Sequence, residues 1–250
     1  MELICEDLCE LIGIIIGDGC LSNASKRHTI EITGSPKEQN YLKNHVCHLL
    51  SKFSGKQPKV LLRERALRIR IESKAFFTYL TTKIGLAYGR DKSKIVFIPD
   101  LILRKGWNYI KYTLRGIVDT DGSVFTSDKP GSPNYPSIEI TTISKELAYQ
   151  LFQILKNREF RVTIRNHKPK NGERTFKIGL NGYEMLEKWK REISFSNSKK
   201  ISKCTSILEK WDRGDLNTRP RGLQLRRDNL VRSPGLSYCP DNYFIMNKLL

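Results

Sequence analysis

Residues 4–17 are apolar on nearly every face, which predicts a helix buried on all sides rather than one lying on a surface. Thr29–Thr33 alternates apolar and polar side chains with period two, the pattern of a half-exposed strand. Ser35-Pro36-Lys37-Glu38 reads as a helix start, with Ser35 as cap, Pro36 in the first turn and Glu38 three residues after the cap, and the helix is expected to run to about Phe53. Strands at Val60–Leu62 and Leu67–Ile71 and a helix at Phe76–Ile84 complete this series. A second series follows at Tyr112–Thr120, Ser137–Thr141, Lys145–Asn157, Phe160–Arg165, Thr175–Leu180 and Tyr183–Ile193. After Trp211 the periodicity stops, and prolines flanked by Arg and Gly predict a disordered or loosely attached tail over 212–250.

The two series are one unit written twice. Gly13, Asp18 and Gly19 of LIGIIIGDG recur 103 positions later as Gly116, Asp121 and Gly122 of LRGIVDTDG. Ile30-Glu31-Ile32-Thr33 recurs 108 later as Ile138-Glu139-Ile140-Thr141, as do Lys37-Glu38 and Tyr41 in Lys145-Glu146 and Tyr149. The slip of five falls in Ser127–Pro136, read as a loop where insertion costs little. Each copy reads as helix, two strands, helix, two strands, helix. The expected class is α+β, with a first half over 1–95, a linker over 96–109 and a second half over 110–211.

Charge changes the picture more than composition does. Forty-four Lys and Arg against 26 Asp and Glu leave a net charge of +18, an excess that points to a polyanion partner. No apolar run is long enough to span a bilayer, and the acidic start MELICEDLCE excludes a signal or transit peptide. The six cysteines form no CxxC pair and read as reduced thiols of an intracellular protein.

Both buried helices end in Asp-Gly. Glycine after a helix is an ordinary terminator, so one such pair means little. An Asp at a helix C-terminus, however, faces the negative end of the dipole, and both copies keep it. Gly13 and Gly17, and Gly116 and Thr120, lie four apart and make a flat stripe on which two helices can pack backbone to backbone. If the helices run parallel, Asp18 and Asp121 arrive side by side, and such concentrated negative charge calls for a hard divalent cation. Asp18, Asp121, Gly17 and Thr120 are the candidate metal residues. On a strongly basic chain, phosphodiester hydrolysis is the matching chemistry.

LIGIIIGDG and LRGIVDTDG resemble the paired signature helices of LAGLIDADG homing endonucleases in their single-chain, two-motif form, over about residues 3–210. Ile98-Pro99-Asp100 leading into Leu114-Arg115-Gly116 is similar to the family's linker and second motif. The resemblance implies a DNA-binding saddle of two four-stranded antiparallel sheets. It also implies a metal-dependent, staggered double-strand cut in a long pseudo-symmetric site. The motif acids map onto Asp18 and Asp121, and Lys177 completes the assigned catalytic set. Mg²⁺ is the expected cofactor, with Mn²⁺ able to substitute. The first motif departs from the pattern at Ile16, where the second has Asp119, a position that serves helix capping or packing.

The strands alternate as a groove-reading sheet requires. Candidate DNA-binding residues are Glu31, Thr33, Arg63, Arg65, Arg68 and Arg70 in the first copy. In the second they are Glu139, Thr141, Arg161, Arg165, Lys168, Lys170, Arg174 and Lys177. Ser22–His28 and Ser123–Asn134 are read as loops touching backbone or outer bases. His45 and His48 share a helix without further ligands and are assigned no metal. The expected partner is double-stranded DNA bound by a monomer, with intron RNA as a further partner. An intron maturase or non-catalytic nucleic-acid binder is the competing reading, and an intein is set aside because Met1 is no splicing nucleophile and Lys248-Leu249-Leu250 no His-Asn end.

Overall fold

The computed structural model describes residues 4–212 except 25–26, 90, 131 and 169–172. Residues 1–218 form one unit by their contacts; a second, 219–250, lies outside the described residues, as does the tail assigned to 212–250 beyond its first residue.

The apolar run at the N-terminus folds as α1 (Glu6–Ile16), buried from Leu8 to Ile16. It passes directly into β1 (Gly19–Ser22), which pairs antiparallel with β2 (Thr29–Gly34). The helix expected from Ser35 begins as predicted, with Ser35 Oγ accepting from Lys37 N at 3.2 Å. It is wound as three pieces rather than one: a 3₁₀ turn at Pro36–Glu38, a π-helical stretch at Tyr41–Val46 and α2 (Cys47–Ser54). β3 (Lys59–Arg63), β4 (Ala66–Glu72) and α3 (Lys74–Thr78), which continues as a π-helical stretch at Tyr79–Lys83, end the first copy. Two short helices precede the second copy: α4 (Lys92–Ile95), at the end of the stretch read as the first half, and α5 (Asp100–Leu103), where the sequence reading placed only linker. The second copy runs α6 (Trp107–Asp121), β5 (Gly122–Lys129), β6 (Ser132–Thr142), α7 (Lys145–Asn157), β7 (Val162–His167), β8 (Thr175–Asn181) and α8 (Tyr183–Glu192). α9 (Ser198–Asp212) follows.

The sheets have matching orders, β1-β2-β4-β3 and β5-β6-β8-β7, all antiparallel. This is the expected α+β architecture of two pseudo-symmetric halves. Two expectations are corrected. Ser123–Asn134, read as a loop, is mostly the β5–β6 hairpin: Ser123 faces out and pairs with Glu139, and Val124 packs inward and pairs with Ile138. The extra residues of Ser127–Pro136 therefore lengthen a hairpin. Arg65, placed on a strand, lies in the turn between β3 and β4, where Glu64 and Arg65 both take left-handed backbone angles that match the hairpin twist.

One continuous core joins the halves, and α1 and α6 are its axis. A Cβ on Gly13 would stand 2.2 Å from Thr113 O, and one on Gly116 2.3 Å from Glu10 O. Contacts advance together along both helices, from Cys9 with Thr113 to Gly17 with Thr120, so they run parallel. Thr113 Oγ1 donates to Cys9 O at 3.1 Å, satisfying a hydroxyl that is fully buried. Because the clashing atoms are backbone, no rotamer change relieves them. Gly116→Leu is expected to lower stability by at least about 1–3 kcal/mol and to splay the helix ends. Thermal melting checks the first effect and cleavage the second; full activity with an unchanged midpoint would contradict this packing.

Candidate functional site

The parallel pairing of α1 and α6 brings their C-terminal ends together, and the motif glycines make that possible by taking little space. Gly17 has φ −71° and Gly122 φ −84°, so neither needs the left-handed conformation of an ordinary glycine terminator. A Cβ on Gly19 would instead meet Ile15 Cα at 2.6 Å, and one on Gly122 would meet Val118 O at 2.5 Å. Each strand leaves its helix so tightly that only glycine fits. Gly17 lies against the Thr120 side chain and near Asp121, where a Cβ would stand 3.3 Å from Asp121 Oδ2.

Asp18 and Asp121 thus share one end of the helix pair. Burial raises the Asp121 carboxyl to about 6, and the charge of Asp18 adds to the shift. Burial likewise raises Asp18 above its ordinary value, with Glu38 adding and Lys200 and Lys92 opposing. Two partly buried carboxylates that repel each other are the donor set a hard divalent cation relieves. Among the described residues no third His, Cys, Asp or Glu joins them into a larger cluster. Any further oxygens must come from backbone, water or ligand. Thr120 Oγ1 is turned back onto Gly116 O and Ile117 O at 2.9 and 3.0 Å, so its hydroxyl proton is engaged within the helix.

The sequence reading missed two lysines here. Lys92 Nζ donates to Ile15 O and Gly19 O at the end of α1, and Lys200 Nζ to Val118 O and Thr120 O at the end of α6. Each cation answers the negative end of its helix dipole. Burial lowers Lys92 to about 8, against the upward pull of Asp121, and also lowers Lys200. The signal was present: Lys92 and Lys200 are 108 apart, the register of the repeat. Lys177, assigned to the catalytic set, is elsewhere on the second sheet, with Nζ 2.9 Å from Glu139 Oε1. It is not among the charges that shift either aspartate.

The Ile16–Asp119 difference has a structural role. Buried Asp119 accepts from Ser196 N at 2.7 Å and Asn197 N at 3.2 Å, fixing the approach to α9, which carries Lys200. Asn197 Nδ2 donates to Glu38 Oε1 of the first half at 2.9 Å. His45 is engaged in the same inter-half region: its Nε2 lies 2.6 Å from the buried Glu10 carboxylate, whose other oxygen is 3.5 Å from Arg115 Nη1. The hydrogen bond to Glu10 holds His45 above the usual imidazole range despite burial.

The polar sheet faces hold most of the other candidates. In the first sheet, Glu31 stands opposite Arg70, and Thr33 opposite Arg68, with Arg63 on the edge strand. In the second, Glu139 stands opposite Gly179, Thr141 opposite Lys177, and Arg165 opposite Lys177 on the other side. Lys168 and Arg174 are exposed next to β7 and β8. Arg161 precedes β7 and pairs with Glu184 of α8 at 2.9 Å, so it is not part of the strand alternation. Lys170 lies outside the described residues.

The model of the LAGLIDADG-like domain matches residues 108–200. Among solved structures, the homing endonuclease I-WcaI bound to its DNA recognition sequence superposes with TM-score 0.53, covering 80% of this chain and 88% of that one at 19% identity. Mesophilic variants of the homing endonuclease I-DmoI give 0.52, covering 74% and 93% at 18% identity. The chain carries the LAGLIDADG fold. The matched stretch contains α6 and the second sheet, and α1 is the equivalent helix of the first half. Curated relatives include the replication factor C small subunit of Thermococcus kodakarensis, 28% identical over 207 residues. Elongation factor 2 of Methanopyrus kandleri is 22% identical over 245. These matches cover 82% and 95% of this chain, but only 21% and 17% of those proteins.

Proposed function

We propose that this chain is a site-specific DNA endonuclease that makes a divalent-metal-dependent, staggered double-strand cut, with Mg²⁺ as the working ion and Mn²⁺ as a substitute. The observation that carries the proposal is the meeting of Asp18 and Asp121 at the parallel ends of α1 and α6, flanked by two sheets with basic polar faces. A cation held by these carboxylates supplies a polarised phosphoryl oxygen and a more acidic water. Around it, Lys92 and Lys200 hold the two helix ends and keep positive charge beside the acids. The pseudo-symmetry of the halves supports one cut in each strand. Free cysteines among the described residues fit an intracellular target.

The deciding experiment incubates the full chain and Mg²⁺ with a plasmid library of random duplex inserts, then sequences the cut ends. Recurrent staggered ends at one sequence are expected; intact plasmid at all Mg²⁺ and Mn²⁺ concentrations would overturn the proposal. The lysine roles give a further expectation. Lys92→Met strips a donor from two carbonyls at the helix end, so it should lower the thermal midpoint and slow cutting at saturating DNA. Lys177→Met should act chiefly through the DNA concentration needed for half-maximal rate. The reverse pattern would return Lys177 to the catalytic set.

A further inference from the structure

Each sheet holds one carboxylate–cation pair that bridges its two central strands, and the two bridging pairs occupy the same slots of the repeat. In the first sheet Glu31 directly faces Arg70 across the strands, yet Arg70 Nη2 turns to Glu72 Oε1 at 3.0 Å. Glu31 instead meets Arg68, two residues along the strand, at 3.4 Å. In the second sheet Glu139 faces Gly179 and meets Lys177, again two residues along and on the same diagonal, at 2.9 Å. Glu31 and Glu139 are 108 apart, Arg68 and Lys177 109. Cys20 and Ser123 stand in the rows of these carboxylates, two residues beyond Asp18 and Asp121, which puts both pairs in the sheet rows nearest the acid pair.

Partly exposed ion pairs of this kind contribute little to folding, so stability is a weak reason for both halves to hold one. Their chemistry has a complement in DNA. In the major groove a G·C pair presents two acceptors, guanine O6 and N7, beside the N4 donor of cytosine. A cation next to an acceptor-only carboxylate matches that pattern, and an A·T pair, with the thymine O4 acceptor and methyl, does not match it as well. We propose that Arg68 with Glu31, and Lys177 with Glu139, each read one G·C base pair at matched inner positions of the two half-sites. This rests on the endonuclease reading above. Arg68 can grip guanine with two N–H groups in a fixed fork, whereas Lys177 is a single point charge. Gly179 also leaves the second sheet without the cation that Arg70 gives the first. The first half-site therefore requires its G·C pair strictly, and the second prefers it more weakly.

The test selects random duplexes for binding to the full chain without Mg²⁺ and, separately, for cutting with Mg²⁺. Both pools are expected to carry G·C at two positions equidistant from the centre, nearly invariant in the first half-site and enriched in the second. Replacing the first-half pair by A·T should weaken binding roughly 5- to 150-fold. Glu31→Ala should relax that position, and Lys177→Arg should sharpen its counterpart. Bound pools without matched G·C pairs, or an Arg68→Ala chain that keeps its preference there, would overturn the assignment. A bound pool fixed at both pairs with no cutting would support the base readers and overturn the endonuclease reading alone; no binding to any duplex would overturn both.

Discussion

Asp18→Asn and Asp121→Asn should each abolish double-strand cutting while leaving the protein folded and able to bind DNA. Each change keeps the shape of the side chain and removes a charge that the proposed divalent cation requires. The stability effect should be opposite in sign to the effect on activity. Asp121 titrates near 6 instead of its ordinary 3.8 because burial and Asp18 disfavour its charge. A raised carboxylate contributes stability at low pH and loses it as pH rises through the folded value. Without metal, the wild-type chain should therefore weaken between pH about 4 and 6. The shift of roughly 2 units corresponds to about 3 kcal/mol. Asp121→Asn should melt higher than wild type at pH 8 in a chelator, with the gap closing toward pH 4, and Mg²⁺ should stabilise only the wild type. Cutting should rise with pH as the acids ionise. Cleavage by either Asn variant at wild-type rate would remove these acids from the chemistry.

The repeat explains how much of this was legible in advance. Period-two alternation at Leu67–Ile71 and Thr175–Leu180 marks β4 and β8, because those strands have one buried and one polar face. The Asp-Gly doublets marked the site, since two acids in equivalent slots of a duplicated unit must approach each other if the units pair about those helices. β1 escaped detection because Gly19–Ser22 is four residues long, too short for a pattern to emerge. The hairpin of β5 and β6 was hidden by Pro133 and Pro136, residues that suit loops but are tolerated near strand ends and edges. Lys92 and Lys200 were hidden differently. On a chain this rich in lysine, nothing local distinguishes a buried one, and each reaches its helix end only through tertiary packing. Gly13, Gly17 and Gly116 were read as a close-packing stripe, as found; Gly19 and Gly122 resembled ordinary helix terminators, and their role in relieving crowding where each strand leaves its helix shows only in the fold.

DNA affinity should collapse with salt, and the size of the collapse separates a phosphate-binding surface from one that is merely basic. Lys59, Arg63, Arg65, Arg165, Lys168 and Arg174 are exposed and lie on or beside the strands of the two sheets. None has an ion-pair partner among the described residues, so each is available to a phosphate. Every phosphate neutralised contributes about −0.9 to the slope of log K against log salt. Six such contacts give a slope near −5, or a loss of about 10³-fold between roughly 50 and 200 mM salt. Arg70 is held by Glu72 and should add less. Lys168→Ala should shrink the slope by about one unit and weaken all sequences alike, while Arg68→Ala should cost about 1–3 kcal/mol and relax preference at one base pair. A slope near zero in filter-binding or anisotropy titrations would mean that these cations do not track the backbone. The basic faces of the sheets would then have to be explained without a duplex lying along them.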